Sequence, residues 1–254
     1  MTHEEYLNKG FKCVRVFDSE TTGFPPVASM VEMAFTEVYV REWPDLDEQR
    51  PDIAIGQTFS WLTQPKHEIA LDAMVIHHIT QEMCDRDGTD LSHMLDRFNA
   101  LPTDYWVAHN ADFDRKFFSG PAEVPWICTL KAARRIWPNA PRHTNQHLRY
   151  WLGLHKHQDP TRTEPSHRAG PDTYCTAFLL AKMLQEGNSL ASLVSGEGPQ
   201  ELKIIPFGKH KGTPFKELPL SYLSWLKKNS SDPDVLLTVQ KVLKSKSTAF
   251  MKTR

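Results

Sequence analysis

The sequence predicts an α/β fold, in which a mixed sheet flanked by helices is followed by a small C-terminal module. Three strand-like segments near the start are joined by hairpin-like connections, which predicts antiparallel pairing. Shorter strand patterns then alternate with helical patterns, which is typical of parallel strands with helices on both faces of the sheet. The 254 residues are 40% hydrophobic and 24% charged, enough for one or two domains with a sizeable core.

Runs of β-branched and alternating apolar residues locate the strands. Pro25 and Pro26 break the backbone after the first strand. An acidic, proline-containing hairpin loop or insertion is expected at 41–56, before the third strand. The predicted strands cover residues 14–17, 30–40, 57–62, 105–108 and 126–128.

Apolar residues at helical spacing locate the helices. A short helix is expected within 65–79, and another carries Leu91, Met94, Leu95 and Phe98. A helix over 130–137 stops at Pro138, and a further one carries Leu148, Trp151 and Leu152. Residues 155–171 read as a polar loop, and Pro171 is predicted at the first position of a long helix that extends to Leu184.

Residues 187–200 are rich in Gly and Ser and predict a linker, so we divide the chain into a domain over 1–186 and a module over 201–254. The module holds 11 Lys and Arg against 4 acidic residues, a balance of +7, whereas the first 200 residues have a balance of −8. This asymmetry indicates an acidic, metal-binding body with a basic appendage that could meet phosphate. The module's second helix is expected over 234–244.

The four cysteines lie far apart without paired spacing, which indicates reduced thiols. The opening residues lack the charged-then-apolar pattern of a signal peptide. No apolar run approaches the roughly 20 residues that a bilayer requires. We therefore expect a cytoplasmic protein with no membrane partner.

The first strand runs into two acidic residues, Asp18 and Glu20, separated by Ser19. Because side chains alternate along a strand, both carboxylates should point to the same side. Two carboxylates so close repel each other unless a cation neutralises them, and hard oxygen ligands suit Mg²⁺ or Mn²⁺. The alternative is an exposed strand end with two solvated acids.

Further candidates lie where strands meet loops or helix starts. Asp114 follows the strand at 105–108, and His167 and Asp172 stand beside the start of the long helix. Open α/β sheets assemble their sites at such places. These residues therefore favour a site over two solvated acids.

The motifs that carry these residues are Asp18-Ser-Glu-Thr-Thr-Gly23, His109-Asn-Ala-Asp-Phe-Asp114 and His167-Arg-Ala-Gly-Pro-Asp172. In order and spacing they resemble the three exonuclease motifs of the DEDDh group of DnaQ-like 3′→5′ exonucleases, over roughly residues 12–185. The histidine five positions before the last aspartate marks the DEDDh type. The resemblance implies a ribonuclease H-like fold. Segments 126–138, 207–212 and 222–226 extend the likeness into the C-terminal module.

The resemblance implies a metal-dependent exonuclease that releases nucleoside 5′-monophosphates from the 3′ end of DNA, in DNA repair or turnover. Asp18, Glu20, Asp114 and Asp172 would hold two Mg²⁺ ions, for which Mn²⁺ could substitute. His167 would be the general base that takes a proton from the attacking water. An intact set of five site residues argues against an inactive scaffold.

Other residues are candidates for substrate binding. Thr21, Thr22 and Gly23 could present backbone groups to the terminal nucleotide, because glycine permits close approach. Phe113 is a candidate wall for a base or else a core residue, and Asn110 could position Asp114, contact the nucleotide or simply form a turn. His77 falls where related enzymes carry a substrate-facing histidine.

The expected partners are DNA with single-stranded or duplex 3′ ends, and a second copy of the chain. One alternative is an RNA-trimming exoribonuclease of the same superfamily, since the same motifs serve both sugars and the 2′-OH contacts are not visible in a sequence. Another is a polymerase proofreading or binding subunit. In the module, lysines interleaved with Tyr222 and Trp225 suit single strands, but these aromatic residues could equally form its core.

Overall fold

The computed structural model describes residues 1–24, 27–42, 50–118, 120–195, 199, 201–205, 207–230 and 232–252, without the side chains of 195 and 247–252. The predicted break at Pro25 and Pro26, and residues 43–49 of the predicted insertion, lie outside the described residues. No helix in these ranges is both long and apolar enough to cross a bilayer.

A five-stranded mixed sheet forms the centre of the fold, in the order β3-β2-β1-β4-β5. β1 pairs antiparallel with β2, and β2 pairs antiparallel with β3. β4 pairs parallel with β1, and β5 pairs parallel with β4. This arrangement confirms the predicted fold class. The strands are β1 (Lys12–Thr21), β2 (Met30–Arg41), β3 (Asp52–Leu62), β4 (Tyr105–Ala108) and β5 (Trp126–Cys128).

Helices flank the sheet and form the C-terminal part of the chain. They are α1 (His3–Asn8), α2 (Leu71–His77), α3 (Gln81–Asp87), α4 (Leu91–Asn99), α5 (Ala111–Asp114), α6 (Thr129–Ile136), α7 (Asn145–Trp151), α8 (Ala169–Gln185), α9 (Leu190–Ser195), α10 (Leu220–Asn229) and α11 (Pro233–Lys252). Short 3₁₀ turns lie at Leu154–His157, Pro160–Arg162 and Phe215–Glu217.

Several element boundaries differ from the prediction. β3 begins at Asp52 rather than at residue 57, so the end of the predicted insertion is a paired strand. α11 extends to Lys252, beyond the predicted end. The N-terminal helix was missed, although Thr2 and Glu5 form a capping box that the sequence displays.

The segment predicted as a linker contains α9. Leu190 and Leu193 of this helix are buried in the main core, and the Leu190 N–H donates a hydrogen bond to Glu42 Oε1 at 2.7 Å. Part of the segment predicted as a linker at 187–200 is therefore a helix that packs on the main core. The division of the chain into two domains stays a prediction.

The sheet buries apolar residues on both faces because consecutive side chains of β1 alternate. Val16 packs on one face with Leu179 and Leu180 of α8. Phe17 packs on the other face in an aromatic cluster with Phe98 of α4 and Trp106 of β4. The residues of even number in β1 therefore lie on the face that α8 covers.

The C-terminal module has an apolar core of its own. Most of its buried residues come from the 3₁₀ turn, α10 and α11, and none of them belongs to the clusters on the sheet. Arg134 of α6 forms ion pairs with Asp234, at the start of α11, and with Asp232, at 3.3 Å, and so joins the module to the rest of the chain. The core residues are Ile205, Phe215, Leu218, Leu223, Leu226, Val235, Val239 and Val242.

Two separate cores predict two unfolding transitions. Leu180→Ala on the sheet and Leu226→Ala in the module each remove a fully buried leucine and should cost about 2–5 kcal/mol of unfolding free energy. In calorimetry, each substitution should lower the Tm of one transition and leave the other nearly unchanged. One transition that both substitutions lower equally would contradict the division into two domains.

Candidate active site

Three carboxylates meet where β1 ends beneath the start of α8. Asp18 and Glu20 lie on the face of β1 that α8 covers, and Asp172 is in the first turn of α8. Oxygen atoms of the three side chains all lie within 4.8 Å of one another. The structure thus brings together three of the predicted site residues. We refer to Asp18, Glu20 and Asp172 as the carboxylate cluster.

Asp114 lies beside this cluster. It belongs to α5, the short helix that follows β4 directly, and its side chain is buried. Ser19 Oγ donates a hydrogen bond to Asp114 Oδ1 at 2.8 Å. Ser19 therefore does more than separate Asp18 from Glu20, because it also fixes a carboxylate that is 95 residues away in the chain.

Asp172 is held from two sides. The His167 N–H donates to Asp172 Oδ2 at 3.1 Å, and Gln146 Nε2 of α7 donates to Asp172 Oδ1 at 3.2 Å. Asn145 Nδ2 donates to the Asp172 backbone carbonyl at 3.1 Å. Sequence reasoning missed both amides because it identified α7 by its apolar residues alone. Adjacent amides at the start of a helix are the signal that could have indicated them.

His167 is exposed and stands just before α8. Its φ of 60° lies in the left-handed region, which is uncommon for a residue other than glycine. The next residue, Arg168, is the N-cap of α8. The ring of His167 is therefore presented to solvent at the end of the helix that carries Asp172.

Glu32 fixes this helix start, and sequence reasoning missed it. It pairs with Glu20 across β1 and β2, so both side chains lie on the face that α8 covers. Only 3% of Glu32 is exposed. The donors to its carboxylate are Arg168 Nε at 2.9 Å, Arg168 Nη2 at 2.7 Å, the Ala169 N–H at 2.9 Å and Ser60 Oγ at 2.8 Å. An acid between apolar residues of a central strand was the available signal.

Burial raises the pKa of all four carboxyls predicted as metal ligands, and the charges of neighbouring carboxylates raise those of Asp18 and Glu20 further. The pKa of Glu20 rises to about 8, through burial and then the charges of Asp172, Glu32 and Asp114. The pKa of Asp18 rises well above its usual value, through burial and then the charge of Asp114. Burial raises the pKa of Asp114 to about 7 and also raises that of Asp172. The positive charge of Arg168 lowers the pKa of Glu20. The guanidinium of Arg168 is hydrogen-bonded to Glu32, however, and not to Glu20.

The carboxylate cluster fits a divalent metal ion. Its members offer hard oxygen atoms close enough to share one ion, which is the donor set that Mg²⁺ or Mn²⁺ prefers. A cation at this point would also relieve the repulsion that raises the pKa values. Asp18, Glu20 and Asp172 could therefore hold a metal, with Asp114 beside them.

The side chains of Thr21 and Thr22, in the segment predicted to present backbone groups to the nucleotide, form hydrogen bonds within the protein. Thr21 Oγ1 donates to the Gly23 carbonyl at 2.7 Å, and Thr22 Oγ1 accepts from the Ser29 N–H at 3.0 Å. His77 is buried, with Nδ1 accepting from the Ile79 N–H at 3.0 Å and Nε2 at 3.3 Å from the Thr21 carbonyl. These contacts shape the loop after β1. His77 offers no free ring nitrogen to a substrate.

Two other predicted substrate residues, Asn110 and Phe113, lie at α5. Asn110 is exposed, with a φ of 82°, and its side chain does not cap α5. Phe113 is half-buried and contacts Phe24 edge to face, with ring centroids 6.3 Å apart. Phe24 was missed by sequence reasoning, although 83% of it is exposed. The signal in the sequence was a phenylalanine directly after the Thr-Thr-Gly segment.

Comparison with known proteins identifies the domain. A family model described as Exonuclease, of the ribonuclease T type, matches residues 16–180. A second model, described as a putative quorum-sensing-regulated virulence factor, matches residues 201–237, within the C-terminal module.

Individual relatives agree with this assignment. The chain is 31% identical to exodeoxyribonuclease 10 of Escherichia coli K12 over 91% of this chain and 99% of the relative. It is 28% identical to a PolC-type DNA polymerase III of Staphylococcus aureus, over 72% of this chain but 12% of the polymerase. A solved structure of exonuclease X in complex with 5′-overhanging duplex DNA aligns with a TM-score of 0.58 and 30% identity, over 73% of this chain and 99% of that one. The chain therefore belongs to the DnaQ-like exonuclease family.

Proposed function

We propose that this exonuclease is a metal-dependent 3′→5′ exodeoxyribonuclease that releases nucleoside 5′-monophosphates, in DNA repair or turnover. The observation that carries the proposal is the carboxylate cluster, with Asp114 beside it and His167 exposed next to it. The similarity to an exodeoxyribonuclease and to a DNA-bound exonuclease X supports DNA as the substrate.

The residues of the site would have different roles in the reaction. Asp18, Glu20, Asp114 and Asp172 would hold Mg²⁺, which supplies charge neutralisation and polarisation at the phosphate. A ring nitrogen of His167 takes a proton from water as the water oxygen bonds to phosphorus. The bond between phosphorus and the 3′ oxygen of the preceding nucleotide breaks, so the shortened strand keeps a 3′-OH. Phe24 and Phe113 would lie against the terminal base.

A positioning role follows for Glu32. Its carboxylate holds both Arg168 and the Ala169 N–H, the residues that come directly after His167. His167 in turn adopts a backbone conformation that costs energy and needs support from its neighbours. Glu32 therefore determines where the His167 ring lies, although it does not touch the substrate.

The first prediction concerns the base and one metal ligand. Asp18→Asn and His167→Ala should each reduce the shortening of 5′-labelled DNA by roughly 100-fold or more, because one removes a metal ligand and the other the proton acceptor. His78→Ala is the matched control, since His78 is also exposed and has a φ of 58°. Gel ladders with single-stranded DNA, duplex DNA and RNA in Mg²⁺ give the rates. Full activity in His167→Ala, or faster shortening of RNA than of DNA, would refute the proposal.

The second prediction concerns metal and pH. Between about pH 4.5 and 8 the metal-free folded state keeps a proton on Glu20 that the unfolded chain has released, so the free energy of unfolding falls as pH rises through this range. A metal ion that binds the ionised carboxylates offsets this loss. Mg²⁺ should therefore raise Tm, measured against EDTA, more at about pH 8 than at about pH 6.

Glu20→Gln is the control for this measurement. This substitution removes a ligand that titrates in this pH range. The increase in Tm that Mg²⁺ causes should therefore differ less between the two pH values than it does in the wild-type chain. EDTA should also abolish activity. An identical Tm with Mg²⁺ and with EDTA at both pH values would contradict a metal site here.

The third prediction tests Glu32 against a matched residue. Glu32→Gln should lower kcat on the order of 10–100-fold through misplacement of His167, with a smaller change in KM. It should also reduce the unfolding free energy by about 1.5–3 kcal/mol, the contribution of a charge-assisted hydrogen bond. Glu37→Gln removes a carboxylate from the same strand, where it pairs with Arg15 at 3.2 Å. This control should lose stability but keep its kcat, whereas equal kcat values in the two variants would rule out a positioning role.

A further inference from the structure

One surface of the C-terminal module exposes aromatic residues that its core does not use. Trp225 is 53% exposed and Phe207 is 38% exposed. The apolar side of α10 that packs into the core carries Leu223 and Leu226 instead. We call the surface formed by Lys209, His210, Tyr222 and Trp225 the aromatic face. The structure thus answers a question that the sequence left open, because Trp225 lies outside the core whereas the half-buried Tyr222 packs against it.

The rings of the aromatic face are arranged in order. Tyr222 and Trp225 are stacked, with centroids 5.6 Å apart and planes at 14°. His210 contacts Tyr222 edge to face at 4.5 Å. Lys209 Nζ lies 5.5 Å from the centre of the Tyr222 ring, within the range of a cation–π contact. The face therefore combines flat rings with a positive charge held beside them.

A tight turn holds the basic residues against these rings. The Ile205 N–H donates to the Thr213 carbonyl and the Gly212 N–H to the Ile205 carbonyl, both at 2.9 Å. Gly208 has a φ of 71°, and a Cβ at this position would lie 2.9 Å from Tyr222 Oη. Only glycine lets the turn approach Tyr222 so closely without displacement. Lys209 and His210 at the tip are therefore fixed relative to the rings.

The charge around the face is positive. The module has a balance of +7. Several of its acidic residues form ion pairs, Glu201 with Lys241, and Asp232 and Asp234 with Arg134 of α6. Lys227 and Lys228 follow Trp225 on α10 and are exposed. A polyanion that also offers flat apolar rings fits this surface, and a neutral apolar partner fits it less well.

We propose that the aromatic face binds single-stranded nucleic acid, with bases stacked on Trp225 and Tyr222 and phosphates near Lys209 and Lys211. Base faces are accessible for stacking in a single strand and not in a duplex, and such stacking tolerates any sequence. The inference rests on the proposed function, because the strand bound by the aromatic face would be the strand that is shortened at the carboxylate cluster. The module would then retain the substrate between successive cleavages.

The test is binding by the full chain in an Asp18→Asn background, which prevents hydrolysis. Fluorescence anisotropy measures the Kd for a labelled oligo-dT of about 20 nucleotides, long enough for a stacking site. Trp225→Ala should raise this Kd roughly fivefold or more, and Trp225→Phe should restore most of the affinity because it keeps a ring. Leu220→Ala is the matched control, since Leu220 is 57% exposed on the same helix and about 140° around it from Trp225.

The salt dependence tests the contribution of charge. Lys209→Gln should reduce the slope of log Kd against log salt by about 0.7, the value for one phosphate contact on a single strand. A matched blunt duplex should lose little affinity in Trp225→Ala. An equal loss for duplex and single strand would overturn the assignment to single strands.

Two results would overturn the inference as a whole. One is a Trp225→Ala variant that binds oligo-dT as tightly as its parent. The other is a Trp225→Ala variant that binds DNA normally but no longer self-associates, as measured by light scattering. That result would make the aromatic face a contact between copies of the chain. Failure of the proposed function looks different, because DNA binding would still depend on Trp225 while the wild-type chain shortened no strand.

Discussion

The structure is built around a repulsion between carboxylates. Asp18, Glu20 and Asp172 are held within 4.8 Å of one another in a partly buried place, with Asp114 beside them. Burial raises the pKa of each group, and the charges of neighbouring carboxylates raise those of Asp18 and Glu20 further, so the metal-free protein keeps protons that free carboxylates would release. Neutralisation by a divalent cation removes this cost, which is why the site suits a metal so well.

The elements around this cluster hold the carboxylates where they would not stay by themselves. Ser19 donates to Asp114, and Gln146 and the His167 N–H donate to Asp172. Glu32 and Arg168 form an ion pair that secures the start of α8. Breaking a buried pair from one side is costly, so this pair resists local change even where it adds little net stability.

The two parts of the chain have opposite charge and different chemistry. The acidic part carries the site that needs cations, and the basic module carries exposed rings and lysines that suit a polyanion. Arg134 joins them through Asp232 and Asp234. The ion pairs that join the module to α6 therefore engage two of the module's four acidic residues. A strand held by the module and shortened at the carboxylate cluster would use both parts.

Local patterns in the sequence determined the strands, the long helix α8 and the shared side of Asp18 and Glu20, because alternation and helical periodicity are properties of neighbouring residues. The start of β3 was misplaced because Gly56 interrupts the run of strand-forming residues, although Ile53 and Ile55 before it pair with β2 and pack on the core. The roles of Glu32, Ser19 and Gln146 were decided only by the tertiary structure. Glu32 meets Arg168 across 136 residues and Ser19 meets Asp114 across 95. Such contacts form when the sheet pairs and α8 packs on it, and no local pattern of residues encodes them.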